Sequence, residues 1–246
     1  MRCDVEGKVA MITGAAVGIG RAVAMLMAQK GAKLVLLDVD AEKLGQAKEE
    51  VVSATEVIAF QCDVCNEQRL RECVNDAIIH FGGIDILVNS AAIWKVWNYF
   101  VDQDMDAWRR MFDINVTGTA VAAQAVLPGM VERGWGRIIN VASVAGIYGN
   151  SKMACYSATK GAVIALTKAI AKEVAEHGVT VNAVSPGTVS PSQKPDIDHV
   201  QPSEFSYMGR TGSDRENAEL ICFLASEEAA YISGQNIQID GCRKKI

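Results

Sequence analysis

A glycine-rich segment near the N-terminus most constrains how this chain of 246 residues can fold. An apolar stretch, Val9–Thr13, runs into Gly14, Gly18 and Gly20, and a stretch with helical spacing follows directly. Such a turn lets the backbone approach a pyrophosphate at the positive end of a helix. Asp38 ends the second apolar stretch, where a carboxylate can bind the ribose hydroxyls of NAD and repel the 2′-phosphate of NADP. We therefore expect a dinucleotide-binding unit; the alternative, that Asp38 only caps the next helix, stays open.

Short apolar stretches alternate with longer amphipathic ones, which is typical of a parallel sheet with helices on both faces. We expect one Rossmann-type, doubly wound α/β domain of about seven strands, spanning residues 1–246. The predicted strands are Val9–Thr13, Lys33–Asp38, Val57–Cys62, Ile84–Asn89, Arg137–Ala142, Val179–Val184 and one near Asn236–Asp240. The predicted helices are Ile19–Lys30, Ala41–Ser53, Glu67–Phe81, Met105–Glu132, Cys155–His177 and one near Arg215–Leu224. Segment 188–208 contains three prolines without periodicity, and we predict that it forms a substrate lid.

Composition argues against several functions. A net charge of −5 provides no broad positive field for a nucleic-acid backbone. The longest charge-free stretch, 114–131, has the length of a membrane span but contains polar residues that lipid would not solvate. Charged residues at positions 4, 6 and 8 interrupt any secretory signal. We expect a cytoplasmic protein with free thiols and no metal site, because the Cys62–Cys65 pair lacks further ligands.

Four polar residues follow the predicted elements where acid–base chemistry could occur. Tyr156 and Lys160 are four positions apart, so their side chains share one helix face, and a nearby ammonium lowers the pKa of a phenol. Ser143 follows the fifth strand at the carboxyl edge of the sheet, where open α/β folds bind ligands. Asn115 is an amide in an apolar helix and could hold a water near Lys160. Each also has an ordinary structural explanation, as helix decoration, a cap or a core amide.

Together these residues resemble the short-chain dehydrogenases/reductases, in their short single-domain branch, over nearly the whole chain. The resemblance implies a catalytic tetrad in which Tyr156 is the acid/base, Lys160 binds the nicotinamide ribose, Ser143 orients the substrate and Asn115 supports a proton relay. It implies an adenine contact at Asp63 and a nicotinamide contact at Pro186 and Gly187. The full set of expected cofactor-binding residues is Gly14, Gly18, Ile19, Asp38, Asp63, Val64, Asn89, Ala91, Tyr156, Lys160, Pro186, Gly187 and Val189.

Three positions depart from the family pattern. Asn89-Ser90-Ala91-Ala92 stands where the family usually has Asn-Asn-Ala-Gly, and Asp240-Gly241-Cys242 stands for Asp-Gly-Gly. Pro191 replaces a common threonine, so a hydroxyl contact to the cofactor is missing or comes from Ser190 or Ser192. We expect these departures to bear on cofactor affinity and on the C-terminal turn.

The loop after the fourth strand contains an aromatic run at 93–100, which could form the wall of an apolar substrate pocket. Packing of Trp97, Tyr99 and Phe100 on the next helix or on a neighbouring subunit is an equal alternative. The expected substrate residues are Trp94, Ala145, Tyr148 and Met153. The basic tail 243–245 is expected to be solvated, with a grip on an anionic substrate as the alternative.

From these features we expect hydride transfer between NAD(H) and a secondary alcohol or ketone, with a hydrophobic or ring-containing carbonyl compound as substrate. One alternative is a 3-oxoacyl-thioester reductase acting on acyl carrier protein or coenzyme A thioesters, although that class usually prefers NADPH. An epimerase or dehydratase is disfavoured by the chain length. From another class, a non-catalytic dinucleotide-binding sensor remains open. The family resemblance also implies a homotetramer, or a dimer, formed through the long helices at 105–132 and 155–177.

Overall fold

The computed structural model describes residues 4–95, 97–190 and 196–244. The strands are β1 (Val9–Thr13), β2 (Lys33–Asp38), β3 (Val57–Gln61), β4 (Ile86–Asn89), β5 (Gly136–Val141), β6 (Val179–Pro186) and β7 (Asn236–Ile239). The helices are α1 (Gly18–Gln29), α2 (Ala41–Val51), α3 (Glu67–Phe81), α4 (Met105–Phe112), α5 (Gly118–Arg133), α6 (Ala145–Tyr148), α7 (Ala154–Val174) and α8 (Asp214–Leu224). Every predicted strand and helix is present, with bounds that differ by a few residues.

All seven strands pair in parallel, in the order β3-β2-β1-β4-β5-β6-β7. Alternate side chains of each central strand enter two separate apolar layers: Ala10 and Ile12 of β1 pack with α1 and α8, whereas Val9 and Met11 pack with α3, α5 and α7. Because both faces of the sheet are covered, the central strands β1, β2 and β4 consist mainly of apolar residues. The expected doubly wound α/β fold is confirmed.

Side-chain caps start four of the eight helices in the described residues. An oxygen of the residue before the helix accepts a main-chain N–H in the first turn, which satisfies a donor that has no partner within the helix. The caps are Asp40 for α2, Asn66 for α3, Asp104 for α4 and Ser213 for α8, the last with a reciprocal bond to Glu216. No side chain caps α1, which begins directly after the glycine-rich turn.

The long predicted helix at 105–132 contains a break that sequence periodicity did not indicate. One π-helical turn, Asp113–Thr117, joins α4 to α5. The whole run, Met105–Arg133, is long and apolar enough to cross a membrane by length and hydropathy alone, but half of its most apolar window is buried. A helix in a protein core meets the same two criteria, and no other helix among the described residues does so.

The segment predicted as a lid is described at 188–190 and 196–208, and its remaining residues, including Pro191 and Ser192, lie outside the described ranges. The Ser190 hydroxyl is buried and lies 2.9 Å from that of Thr211. Farther along, Ser206 forms an antiparallel bridge with Arg243 of the C-terminal segment. This part of segment 188–208 is therefore held to the C-terminal segment.

Candidate active site

A cavity of about 970 Å³ opens at the carboxyl edge of the sheet. It lies where the strand order reverses: β1 continues into α1 on one side and β4 continues into the aromatic loop on the other. Loops that leave adjacent strands in opposite directions create a crevice, which is where open α/β sheets bind ligands. Residues that follow β1, β2, β3, β4, β5 and β6 all contribute to its wall.

The glycine-rich turn forms one end of the cavity. Gly14 has φ +66°, and a Cβ there would lie 2.7 Å from the main-chain nitrogen of Ala91. The Thr13 hydroxyl accepts hydrogen bonds from the main-chain nitrogens of Ser90 and Ala91, at 3.2 and 3.3 Å. The turns after β1 and β4 are thereby fixed against each other, and only glycine fits at position 14. Gly14, Val17 and Ile19 line the cavity beside the uncapped N-terminus of α1.

Asp38 lies at the end of β2 and lines the same end of the cavity. Its two carboxylate oxygens accept hydrogen bonds from the main-chain nitrogens of Ala16 and Asp40, both at 3.0 Å. These bonds tie the glycine-rich turn to the turn after β2 and leave further lone pairs on each oxygen. Asp38 does not cap α2, because Asp40 does so. The alternative explanation of Asp38 as a helix cap is therefore wrong.

Ser143, Tyr156 and Lys160 meet at the opposite end of the cavity. They are held close because α6 packs backbone to backbone on α7: a Cβ at Gly146 would lie 2.5 Å from the Lys160 carbonyl carbon. The Ser143 Oγ accepts a hydrogen bond from the Ala145 nitrogen at 3.1 Å. Burial raises the pKa of the half-buried Tyr156 phenol, and a hydrogen bond with the Ser143 side chain acts in the opposite direction.

Lys160 is 3% exposed, and its Nζ donates to the Val141 main-chain oxygen at 2.6 Å. Burial lowers its pKa to about 8. The Nζ lies 5.8 Å from the centroid of the Tyr156 ring, so the ammonium and the phenol share one side of the cavity. These are the elements of an acid–base pair.

Asn115 lies in the π-helical turn but does not line the cavity. Its side-chain oxygen accepts from the Ile93 nitrogen, and its side-chain nitrogen donates to the Ile93 oxygen, both at 2.9 Å. The same nitrogen donates to the Thr159 hydroxyl at 3.1 Å. The amide thus joins the loop after β4 to α7, which carries Tyr156 and Lys160. Both amide hydrogens are taken by Ile93 and Thr159, so a water held by this side chain would have to donate to its oxygen.

Four other predicted site residues do not line the cavity. Asn89 is buried and donates to Asn140 on β5, and Gly18 turns with φ +57° into α1. Ala145 is buried at the start of α6, and the Tyr148 hydroxyl donates to Gln238 on β7 at 2.7 Å. Predicted site residues that do line it are Gly14, Ile19, Asp38, Asp63, Val64, Ala91, Trp94, Ser143, Met153, Tyr156, Lys160, Pro186, Gly187 and Val189.

The aromatic loop divides between the two roles expected for it. Trp94 and Trp97 line the cavity. Phe100 instead lies edge-on against Trp108 of α4 with ring centroids 6.1 Å apart, and Trp108 stacks on Phe112. The loop therefore supplies both a cavity wall and a contact with the next helix.

Sequence reasoning missed Asn150, Ser151 and Arg110 in the cavity wall, and it placed Arg243 near a substrate only as an alternative. Arg243 comes from the basic tail that was expected to be solvated, and its Nη2 donates to the Asn150 side-chain oxygen at 3.0 Å. Asn150 lies between Ser143 and Tyr156 in sequence, which could have indicated a place near the site. Arg243 is 93 positions away from Asn150, so no local pattern predicts their contact.

No group of three or more histidine, cysteine, aspartate or glutamate side chains among the described residues could hold a metal ion. The described cysteines form no disulfide, and Cys62 is hydrogen-bonded to Cys73 of α3 instead of its sequence neighbour Cys65. The Cys62–Cys65 spacing therefore reflects two different environments, one buried and one exposed.

Comparisons with known proteins match nearly the whole chain and its fold. The family model described as enoyl-(acyl carrier protein) reductase matches residues 14–242. The 3-oxoacyl-(acyl-carrier-protein) reductase FabG of Thermotoga maritima is 38% identical over 240 residues, which cover 96% of this chain and 97% of that protein. The 2-dehydro-3-deoxy-L-rhamnonate dehydrogenase (NAD(+)) of a Sphingomonas species is 36% identical over 247 residues, covering 96% and 95%. The crystal structure of an NAD+-bound xylitol dehydrogenase superposes with a TM-score of 0.89, at 32% identity, covering 96% of this chain and 98% of that one.

The chain belongs to the short-chain dehydrogenase/reductase family of oxidoreductases, whose members act on small-molecule substrates. The expected family membership is thereby confirmed.

Proposed function

We propose that this protein is an NAD-dependent oxidoreductase that interconverts a secondary alcohol and a ketone. The whole chain acts as one cofactor-binding domain, with 188–208 as the region that covers the substrate. The same proposal places the enzyme in the cytoplasm as a homotetramer or a dimer, as the family resemblance implies. The observation that carries the proposal is that one cavity is lined both by the dinucleotide-type loop with Asp38 and by Ser143, Tyr156 and Lys160.

The residues at the end of the cavity that the glycine-rich turn forms fit a dinucleotide. Gly14 and the main chain of Ala91 approach each other closely, so this part of the cavity wall is formed by main chain. The uncapped N-terminus of α1 favours an anionic group such as a pyrophosphate. Asp63 and Val64, after β3, line the part of the wall assigned to the adenine ring. Pro186 and Gly187, after β6, line the part assigned to the nicotinamide.

Charges around Asp38 support a preference for NAD over NADP. A 2′-phosphate placed there would meet the carboxylate, and it would need a free cation to offset the repulsion. The nearby ammonium of Lys43 pairs with Asp40 at 2.7 Å, and the guanidinium of Arg21 pairs with Glu50. Both cations are thus already neutralised by carboxylates.

The residues at the opposite end of the cavity carry out proton transfer. Bound NAD(H) provides the hydride acceptor or donor. Tyr156 gives a proton to the carbonyl oxygen during reduction and removes one from the alcohol during oxidation. Ser143, fixed by its bond from the Ala145 nitrogen, holds the same substrate oxygen. The Lys160 ammonium stabilises the phenolate of Tyr156 electrostatically. It does so at pH values below about 8, where Lys160 keeps its proton.

Tyr156→Phe tests the chemistry. The variant keeps the ring and its packing but cannot exchange a proton, so we expect unchanged NADH affinity and a fall in turnover of at least about 10³-fold. Tyr231→Phe, at a fully exposed tyrosine, is the matched control and should retain full turnover. A Tyr156→Phe enzyme with normal turnover would refute the mechanism. Wild-type protein that binds NADH but turns over no alcohol or ketone would favour the non-catalytic sensor.

The 3-oxoacyl-thioester reductase is the second candidate, because curated relatives with that activity are 38% identical to this chain. A titration of the purified protein with NADH and NADPH, followed by energy transfer from its tryptophans, separates the two. Tighter binding of NADH supports the proposal for Asp38. Tighter binding of NADPH would overturn it and favour the thioester reductase.

The wall near Tyr156 suggests the kind of substrate. Trp94, Trp97, Met153 and Phe205 surround this end of the cavity with apolar surface. Aromatic and thioether side chains favour contact with hydrophobic or ring-containing groups. We therefore assign a hydrophobic or ring-containing carbonyl compound as the substrate class.

A further inference from the structure

The chain reverses direction after β7 and returns to the cavity. Gly241 and Cys242 have φ of +63° and +59°, so two successive residues adopt the left-handed conformation. This conformation costs a non-glycine residue such as Cys242 about 1 kcal/mol or more. The Asp240 side chain stabilises the turn by accepting from the nitrogens of Cys242 and Arg243, at 3.0 and 3.3 Å. The turn places Arg243 at the cavity wall.

The main chain on both sides of Arg243 is paired with the region that covers the substrate. The Tyr207 nitrogen donates to the Cys242 oxygen at 2.9 Å, and the Lys244 nitrogen donates to the Phe205 oxygen at 3.0 Å. Phe205 itself lines the cavity. Arg243 is therefore held in place by main-chain bonds and is not part of a solvated tail.

The guanidinium of Arg243 is oriented by a residue next to the reacting groups. Its Nη2 donates to the Asn150 side-chain oxygen at 3.0 Å, while the main-chain nitrogen of Asn150 donates to the Ser157 hydroxyl at 3.1 Å. Ser157 directly follows Tyr156. The positive charge thus lies on the same side of the cavity as the proposed acid/base.

The charge of Arg243 is not neutralised within the described residues, where no carboxylate oxygen lies within 4.0 Å of it. Most other arginines of the chain differ: Arg210 forms a two-pronged ion pair with Glu216, and Arg215 pairs with Asp198. A guanidinium has five N–H donors, of which the Asn150 contact uses one. A half-buried guanidinium with spare donors and aromatic neighbours is suited to bind a carboxylate through two parallel hydrogen bonds.

We propose that Arg243 binds a carboxylate of the substrate, which makes the enzyme specific for oxo acids and the corresponding hydroxy acids. This inference rests on the proposed function, because it places the carbonyl oxygen at Tyr156 and the carboxylate at Arg243. The carbon skeleton between them lies against Trp94 and Met153. The substrate is then an acid with an apolar body, whose oxo group and carboxylate both lie on this side of the cavity.

Calorimetric titration with matched pairs of ligands tests the proposal without requiring turnover. Each pair is an oxo acid and its methyl ester, with a phenyl or alkyl body and the oxo group at the second, third or fourth carbon. Titrations are made with and without saturating NADH. We expect the wild-type protein to bind at least one acid about tenfold or more tightly than its ester, because the ester lacks the charge. The best oxo position reports the spacing between Tyr156 and Arg243.

Two variants assign that preference to one residue. Arg243→Gln removes the charge and should abolish the preference for the acid while leaving affinity for the ester within about twofold. Lys244→Gln removes the same charge from the next residue, whose ammonium lies 5.5 Å from the Tyr207 ring centroid, outside the cavity wall. This control should keep the preference. Equal binding of acid and ester by the wild type, or an unchanged preference in Arg243→Gln, would overturn the proposal.

A phosphate group could supply the same charge, since the pantetheine arm of a coenzyme A thioester carries one. Acetoacetyl-coenzyme A and acetoacetyl-pantetheine, which is the same thioester without any phosphate, are therefore titrated alongside the oxo acids. A dependence on Arg243 that is confined to the thioesters would overturn the assignment to a carboxylate. Normal turnover of the Tyr156→Phe variant would refute the proposed chemistry. The binding preference assigned to Arg243 could still be measured in that case, because the titrations do not require turnover.

Discussion

The Nζ of Lys160 donates a hydrogen bond to the main-chain oxygen of Val141, at 2.6 Å, from a position almost wholly inside the protein. A buried ammonium is costly because one carbonyl replaces only part of its hydration. Burial accordingly lowers the pKa of Lys160 from 10.5 to about 8. The chain therefore keeps a charge beside the Tyr156 phenol at the expense of stability, which is typical of a residue retained for chemistry.

Lys160→Met should make the protein more stable and inactive. Methionine has a similar length and no charge to desolvate, so we expect the free energy of unfolding at pH 7 to rise by about 1–3 kcal/mol. The unfolded chain binds the lysine proton more tightly between pH 8 and 10.5, so wild-type stability recovers as pH rises through this range. The gain in the variant should consequently be largest below pH 8 and vanish near pH 10.5. Urea unfolding across this range measures it, and a loss of stability at pH 7 would contradict the prediction.

Asp214 provides a second case in which burial works against charge. It is 4% exposed at the start of α8, and burial raises its pKa to about 6 although the positive charge of Arg21 opposes the rise. The folded state therefore binds the proton more tightly than the unfolded chain between pH 3.8 and about 6, and stability decreases as pH rises through that window.

Asp214→Asn removes the charge and should raise the free energy of unfolding by about 1–3 kcal/mol at pH 7 but not at pH 3.8 or below. Chemical denaturation at the two pH values measures the difference. Asp106→Asn is the matched control, since Asp106 is exposed on α4 and should show no such gain. An equal gain for Asp214→Asn at both pH values would rule out titration as its cause.

Asn115→Ala should loosen the cavity wall at the aromatic loop. The change leaves the nitrogen and the oxygen of Ile93 without their side-chain partners, so we expect a loss of about 2–3 kcal/mol in unfolding free energy. Because Trp94 follows Ile93 directly, KM for the ketone should also rise. Thr159→Val keeps both Ile93 bonds and removes the third contact of the amide, together with the bond from the Thr159 hydroxyl to the Tyr156 main-chain oxygen; it should cost about 1 kcal/mol. Thermal unfolding compares the two variants, and an equal loss in both would contradict the role assigned to the Ile93 bonds.

The sheet and its helices were predictable because their signals are local. The runs of β1 and β2 are apolar on both faces, and the spacing around Tyr156 and Lys160 is helical, so each element could be recognised from a few neighbouring residues. The place of the crevice also followed, since the carboxyl ends of parallel strands meet at one edge of the sheet.

Contacts between distant loops were not predictable in the same way. Tyr148 was expected to face the substrate, but its hydroxyl is drawn to Gln238 on β7, 90 positions later. Arg243 was expected to lie in solvent, yet the turn after β7 brings it to Asn150. Such contacts depend on the direction in which a turn releases the chain, and no periodicity encodes that direction.

Trp94→Ala should raise KM for bulky ketones more than for small ones. Trp94 lines the cavity although about half of its side chain is exposed, so its removal widens the wall near Tyr156 without opening the core. A ring-bearing ketone loses contact with the indole, worth about 1–2 kcal/mol, and its KM should rise roughly tenfold. A ketone with only methyl groups does not reach Trp94, and its KM should change by less than about twofold. Tyr99→Ala in the same loop is the control, because Tyr99 lies outside the cavity wall and contacts Lys152. Steady-state kinetics with both ketones measures the effect, and equal changes in KM for the two would remove Trp94 from the substrate pocket.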